Sequence, residues 1–262
     1  MWEIGKIKSS YGINSGDLLP LTTTDIEVNI EGVNYIVNLQ TDNMQVKHNP
    51  KVSSKDPFLP PYNTNLFVEN IGHEHVCLLN KFPIKTPHLL ICATKYIPQT
   101  TALKLSDFKA WVKGIKGQNI LGFFNSGRVA GSSQSHRHMQ LIKTDLPLES
   151  VIVNNALPFK HNLLLLDQLN AEELYSHYLS VMSDFDLYTS STVNGFVECF
   201  PYNILLTERW MLLIPRYKNE VYSMKGHGVN FVGRFLVNSM EQFEWLKEYG
   251  FMNFLIQCGF SK

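Results

Sequence analysis

The sequence predicts an α+β fold, on three observations. Short apolar runs occur in pairs around polar turns, the pattern of antiparallel hairpins. Helix-capping signals fall between and after those pairs. No apolar run approaches the roughly 20 residues of a membrane span.

The elements are read in order. Residues 1–20 form a loosely helical or irregular entry. Residues 25–30 and 33–39 largely alternate apolar and polar about Glu31-Gly32, which predicts a hairpin. Residues 41–64 are polar and carry Pro50, Pro57, Pro60 and Pro61, which predicts a long surface connection. A short strand is expected over 66–70, and a second hairpin over 75–80 and 88–94. Ser106 is the predicted cap of a helix reaching about residue 116, with Ala110, Trp111 and Ile115 inward. Residues 120–125 form a strand, and a glycine- and serine-rich loop leads to another that ends at Ile142. Asn170 with Glu173 opens a helix to about Asp184, and Ser239 with Gln242 opens one that Gly250 stops.

The apolar pair at 76–91 has the shape of the pair at 203–215. Hairpins are common, so pattern alone leaves a duplicated half-barrel and a coincidence equally open. The chain is treated as one domain over 1–262, with internal halves at about 20–145 and 146–262.

Composition narrows the function. Of 262 residues, 44% are hydrophobic and 18% charged, which is globular. Lys plus Arg and Asp plus Glu are both 23, so the balance argues against a general nucleic-acid or membrane-surface binder. The first residues lack the apolar core of a signal peptide. Cys77, Cys92, Cys199 and Cys258 are widely spread without a Cys-x-x-Cys, which reads as reduced thiols in the cytoplasm.

The most informative stretch runs from Asn125 to Gln140: a loop with Gly127, Gly131 and several serines, then His136-Arg137-His138-Met139-Gln140. Alternate strand residues share a face, so His136, His138 and Gln140 are expected on one side, with Arg137 and Met139 on the other. Such a loop presents N–H and side-chain donors to a phosphate chain. A histidine nucleophile beside it is what phosphoryl or nucleotidyl transfer needs. A buried structural histidine, or half of a zinc site, shows the same spacing. Zinc needs further ligands, for which His73, His75 and His88 are the candidates.

The segments 125–140, 79–90, 202–216 and 229–233 together resemble the diadenosine tetraphosphate phosphorylases, also called ATP adenylyltransferases, of the transferase branch of the histidine-triad superfamily. The likeness runs from about residue 55 to the C-terminus. Ser135 stands where the family usually has proline, and Met139 where it commonly has leucine. The resemblance implies two histidine-triad-like half-units sharing a central antiparallel sheet covered by helices. It implies phosphorolysis of diadenosine tetraphosphate with inorganic phosphate to ADP and ATP through an adenylyl-histidine.

By position in that motif, His138 is the nucleophile, His136 positions it, and Gln140 stands where the hydrolase branch has a third, ionisable histidine. An amide steadies phosphate but moves no proton, which favours transfer over hydrolysis. Ser132, Ser133 and Gln134 are expected to hold phosphate oxygens, while Asn125 and Gly127 shape the approach. Asn80 matches the acidic residue that holds ribose hydroxyls in smaller relatives. Lys81 is a candidate for the distal phosphates, and His88 is read as structural. Glu208, Arg209 and Arg216 are candidates to frame the acceptor site. No tightly bound cofactor or metal is expected beyond Mg²⁺ arriving with substrate. With both halves in one chain, a monomer is expected, without nucleic acid or membrane. Two other readings stand: a non-catalytic nucleotide sensor, which need not keep a nucleophile, and a hexose-1-phosphate nucleotidylyltransferase, which commonly has proline where Arg137 stands.

Overall fold

In a computed structural model that describes residues 1–41, 56–117 and 119–262, the chain forms fifteen strands and six α-helices among those residues. Helix α1 (Trp2–Ser15) leads into the hairpin β1 (Thr23–Ile30) and β2 (Val33–Gln40). The strands β3 (Phe67–Ile71), β4 (His75–Leu79) and β5 (Leu89–Ala93) precede α2 (Leu105–Val112). Next come β6 (Ile120–Asn125), β7 (His138–Lys143), α3 (Glu149–Val153), β8 (Asn162–Leu165) and α4 (Ala171–Asp184). A small hairpin, β9 (Tyr188–Val193) and β10 (Phe196–Cys199), precedes β11 (Tyr202–Leu206) and β12 (Trp210–Pro215). The chain ends with β13 (Glu220–Val221), β14 (Met224–Lys225), a 3₁₀ turn at Gly228–Val232, β15 (Arg234–Val237), α5 (Met240–Tyr249) and α6 (Phe251–Cys258).

The α+β expectation holds. An eight-stranded sheet in the order β3-β4-β5-β7-β6-β11-β12-β8 is antiparallel throughout. Its centre is the β7–β6 pair. The hairpin β4–β5 flanks that pair on one side and β11–β12 on the other, so the two similar apolar pairs of the sequence occupy matching places.

One face of the sheet carries Cys77, Leu79, Ile91, Met139, Phe124, Ile204 and Leu213 and is packed by α2 and α4 through Phe108, Trp111, Leu174 and Tyr178. Gly122 lets Trp111 come this close: a Cβ there would meet the indole nitrogen at 2.8 Å. The other face is covered in two patches. Over β11 and β12 lies a layer of β1, β2 and β15 with α5 and α6, contributing Tyr35, Val37, Phe235, Phe251 and Phe254. Over β4 and β5 lies Phe58, packed with Val76, Leu78, Leu90 and Cys92. β7 and β6 run between the two patches.

Several sequence expectations are corrected. The entry is a regular fourteen-residue helix, docked by Trp2 Nε1 donating to the Gly114 carbonyl (2.8 Å). The cap of α2 is not Ser106. The Asp107 carboxylate accepts the Lys104 N–H (2.7 Å), so the helix starts at Leu105, and it closes at Val112. Most of the 41–64 connection lies outside the described residues, but its described end is no mere surface loop, because Phe58 is buried. The caps Asn170 and Ser239 accept the Glu173 and Gln242 amides as expected. Gly250 ends α5 but also opens α6. No helix of the described residues is long and apolar enough to cross a membrane.

Candidate active site

β7 begins at His138, and His138 and Gln140 sit opposite Cys92 and Leu90 of β5, while the His136 ring shares the Phe58 side with His138 and Arg137 points the other way, to Asp107. His136 lies ahead of the strand, bridged to Pro98. The reason is that the chain from 97 to 99 runs beside it: the Arg137 N–H goes to the Ile97 carbonyl (2.8 Å) and the Gln99 N–H to that of Ser135 (2.8 Å). The His136 ring lies between two acceptors, the Asp56 carboxylate at Nδ1 (2.7 Å) and the Ala93 carbonyl at Nε2 (2.8 Å). Its own carbonyl faces the nucleophile candidate.

His138 Nδ1 donates to that carbonyl at 2.8 Å. This fixes the tautomer with hydrogen on Nδ1 and a lone pair on Nε2, which makes no hydrogen bond among the described residues. Burial pushes the imidazole down to about 4, against the opposing pull of the carbonyl, so the ring is neutral near pH 7. Gln99, 1% exposed, clamps the backbone there. Its Oε1 accepts the His138 N–H (2.8 Å), and its Nε2 donates to the carbonyls of His138 (3.1 Å) and Asn125 (2.9 Å).

Gln140 is oriented by His88. The His88 Nε2–H donates to Gln140 Oε1 at 3.0 Å, and Asn80 Nδ2 donates to His88 Nδ1 at 3.1 Å. The Gln140 carbonyl oxygen is thus engaged, and its NH₂ makes no hydrogen bond among the described residues. Burial holds His88 down to about 4, which keeps Nδ1 an acceptor. Asn80 Oδ1 accepts the Phe82 N–H (3.0 Å), so Asn80 has one amide hydrogen and one lone pair left over.

The loop between β6 and β7 is held from below. Asn125 Oδ1 accepts from Asn203 Nδ2 (2.8 Å) and the Gly228 N–H (3.2 Å). The Ala130 carbonyl accepts from Asn203 Nδ2 (2.9 Å) and Arg216 Nη1 (3.3 Å), and the Gly131 carbonyl from His227 Nδ1 (3.0 Å). Gly127 and Gly131 have φ of 74° and 97°, a region glycine enters without strain. Ser132 Oγ donates to the Gln134 carbonyl (2.8 Å) and stiffens the tip. Ser133 and Gln134 are exposed, and their N–H groups have no acceptor among the described residues. The buried Ser126 hydroxyl likewise has no hydrogen-bond partner among the described residues.

The remaining candidates divide. The Lys81 ammonium lies over the Phe82 ring (5.6 Å). Arg216 is buried under the loop and reaches it through the Ala130 carbonyl. Glu208 and Arg209, in the β11–β12 turn, sit at the far end of the sheet from His138, bonded to the Gly117 N–H and to Glu149. His75 meets Asp107 (2.8 Å), which also pairs with Arg137 Nη1 (2.9 Å) on the helix-side face. Burial pushes the Asp107 carboxyl up, but the His75 hydrogen bond and the Arg137 charge outweigh it and hold it below the carboxylate range. Sequence reasoning missed Gln99, Asp56, Phe58 and Asn203, none of which carries a local signal. His88 had one: it alternates with Leu90 and Cys92, which places it on the Gln140 face.

Comparison with known proteins gives the family. The family model for the Ap4A phosphorylase N-terminal domain matches residues 1–164, where Ap4A is diadenosine tetraphosphate, and that for the ATP adenylyltransferase C-terminal domain matches residues 155–261. The chain belongs to the Ap4A phosphorylase family. Two relatives from Saccharomyces cerevisiae are similar in sequence. Diadenosine 5',5'''-P1,P4-tetraphosphate phosphorylase 2 is 28% identical over 81% of this chain and 78% of its own length. Protein APA1 is 25% identical over 70% and 68%. In structure, the chain is similar to yeast Ap4A phosphorylase Apa2 in complex with Ap4A, at a TM-score of 0.81 and 24% identity over 99% of this chain and 97% of that one. Apa2 in complex with AMP superposes as well, at a TM-score of 0.80 and 23% identity over 99% and 96%. The family places this chain among nucleotide-metabolising transferases, so it is an enzyme and not a silent sensor.

Proposed function

We propose that this chain splits diadenosine tetraphosphate with inorganic phosphate into ADP and ATP by way of an adenylyl group on His138. One observation carries the reading: His138 is neutral, with Nδ1–H held by the His136 carbonyl and Nε2 left as the nucleophile. In the first step, Nε2 bonds to the α-phosphorus and the bridging P–O bond breaks, releasing ATP. The ring keeps its Nδ1 hydrogen, and the His136 carbonyl, as its hydrogen-bond acceptor, stabilises the positive charge that forms on the ring. A polyphosphate leaves as a stable anion, so no acid is required. In the second step, a phosphate oxygen bonds to phosphorus, the N–P bond returns its electrons to Nε2, and ADP departs.

Gln140 donates its amide hydrogens to the transferring phosphoryl oxygens. The open N–H groups of Ser133 and Gln134 receive the flanking phosphates. Asn80 takes ribose hydroxyls through its spare amide hydrogen and lone pair, and Lys81 meets the distal phosphates. Mg²⁺ enters with the substrate and screens its charge. Both halves of the sheet belong to one chain, so a monomer completes the site. Four buried, unpaired thiols fit a cytoplasmic setting.

The test is incubation with diadenosine tetraphosphate with and without phosphate, with products resolved by chromatography. ADP and ATP in equal amounts, dependent on phosphate, are expected. Equally fast turnover without phosphate to AMP and ATP refutes the transferase reading. A substrate chiral at the α-phosphorus checks the covalent route: two inversions give retention, and inversion in the ADP product means direct displacement.

A further inference from the structure

We propose that the turn carrying Asp56 and Phe58 selects phosphate over water as the acceptor of the nucleotidyl group. This rests on the adenylyl-histidine reading above. A phosphorus bonded to an imidazolium nitrogen is open to water as well as to phosphate. Gln140 withholds a titratable group from that water but does not keep the water away.

The turn is built to do so. Asp56 Oδ1 accepts the Phe58 N–H (2.9 Å) and the Asp56 carbonyl accepts that of Leu59 (3.3 Å), which closes the turn. The other carboxylate oxygen, Oδ2, bonds His136 Nδ1 (2.7 Å) and pins the turn to the histidine pair. One side chain therefore both shapes the turn and fixes its place. The result lays the Phe58 ring 5.1 Å from the His138 ring and 5.8 Å from that of His136. Phe58 is 7% and His138 4% exposed. Phe58 is also held by Val76, Leu78, Leu90 and Cys92 on the same sheet face, so the contact is packed and not incidental. The Phe58 ring offers no hydrogen bond to a water lodged against the His138 ring, whereas the loop N–H groups attract an anion. In the side reaction the wall suppresses, a water oxygen bonds to phosphorus, the N–P bond breaks back to a neutral ring, and AMP leaves as the water proton passes to solvent.

The experiment measures the AMP to ADP ratio formed from diadenosine tetraphosphate and phosphate by the full chain. ADP as the wild-type product is what the phosphorolysis reading requires, and wild-type AMP sinks that reading by itself. Phe58→Ala is expected to raise the AMP to ADP ratio at least tenfold, and Phe58→Leu, which restores apolar bulk, to stay near wild type. Asp56→Ala, a change at a partly exposed residue, is expected to raise the ratio too and serves if Phe58→Ala does not fold. A merely structural role lowers both products together. An unchanged ratio in either folded alanine variant overturns the proposal.

Discussion

The His88 imidazole donates from Nε2 to the Oε1 of Gln140 at 3.0 Å, and this bond decides which end of the Gln140 amide faces the site. Without it the amide is free to flip and present its oxygen to phosphate. His88→Phe, close in shape and unable to donate, is expected to lower kcat by about 10–100-fold with little change in KM, as for loss of a group that orients a transition-state donor. A double-mutant cycle with Gln140→Ala gives the decisive readout: His88→Phe should cost almost nothing more in that background. Additive losses mean that His88 acts by another route.

The neutral nucleophile predicts a pH profile. His138 sits at about 4 because it is buried, so the acid limb of kcat/KM assigned to it should fall well below the ordinary histidine value of roughly 6.5. Stability follows the same groups. His138 and His88 are both lowered to about 4, so between there and 6.5 the unfolded chain binds more protons. Stability therefore rises with pH across that window and is lost as pH falls through it, by on the order of 3 kcal/mol per histidine once below both values. Thermal melts from pH 7 to pH 4 check this, and His88→Phe should flatten the loss.

His138→Ala should remove at least ~10³-fold of turnover while the chain still folds, with a lower melting temperature from the lost packing and the His136 carbonyl left without its donor. A folded alanine variant of near-normal activity moves the nucleophile elsewhere.

Gln99→Leu should be destabilising and slow together. It strands the His138 N–H and the His138 and Asn125 carbonyls in a buried place, each at about 1–3 kcal/mol if unrelieved. It also releases the strand that sets His138. Denaturation midpoints and kcat should fall in the same variant, and a stable Gln99→Leu protein with full activity is the result that counts against the clamp.

What was legible in the sequence was local. His138 and Gln140 share a face because strand residues alternate, and α4 and α5 start where Asn170 and Ser239 cap them. The parts that escaped are joined across long stretches of chain. β15 pairs in parallel with β2, almost two hundred residues earlier, and a four-residue run announces no such partner. Asp56 reaches His136 over eighty positions, and Gln99 reaches His138 over thirty-nine. His136 falls outside the regular strand because a neighbouring segment took the Arg137 amide, and neither residue reveals that competition.

Arg216 predicts how the second half of the chain serves the first. It is 2% exposed and, although burial lowers it to about 10, it stays protonated at neutral pH. Its guanidinium fork bonds the carbonyls of Ala130, Cys258, Lys218 and Gly226 and the side-chain oxygen of Asn203, and it lies over the Phe231 ring at 5.1 Å. Lysine keeps the charge but not the fork, so it can meet at most three of these acceptors. Arg216→Lys should therefore loosen the Ala130 end of the phosphate loop while leaving His138, Gln140 and Gln99 in place. The expected signature is a KM for phosphate raised about tenfold, with a smaller effect on kcat. Phosphate-saturation kinetics read it directly, and a drop in kcat at unchanged KM would mean that Arg216 supports the nucleophile strand and not the loop.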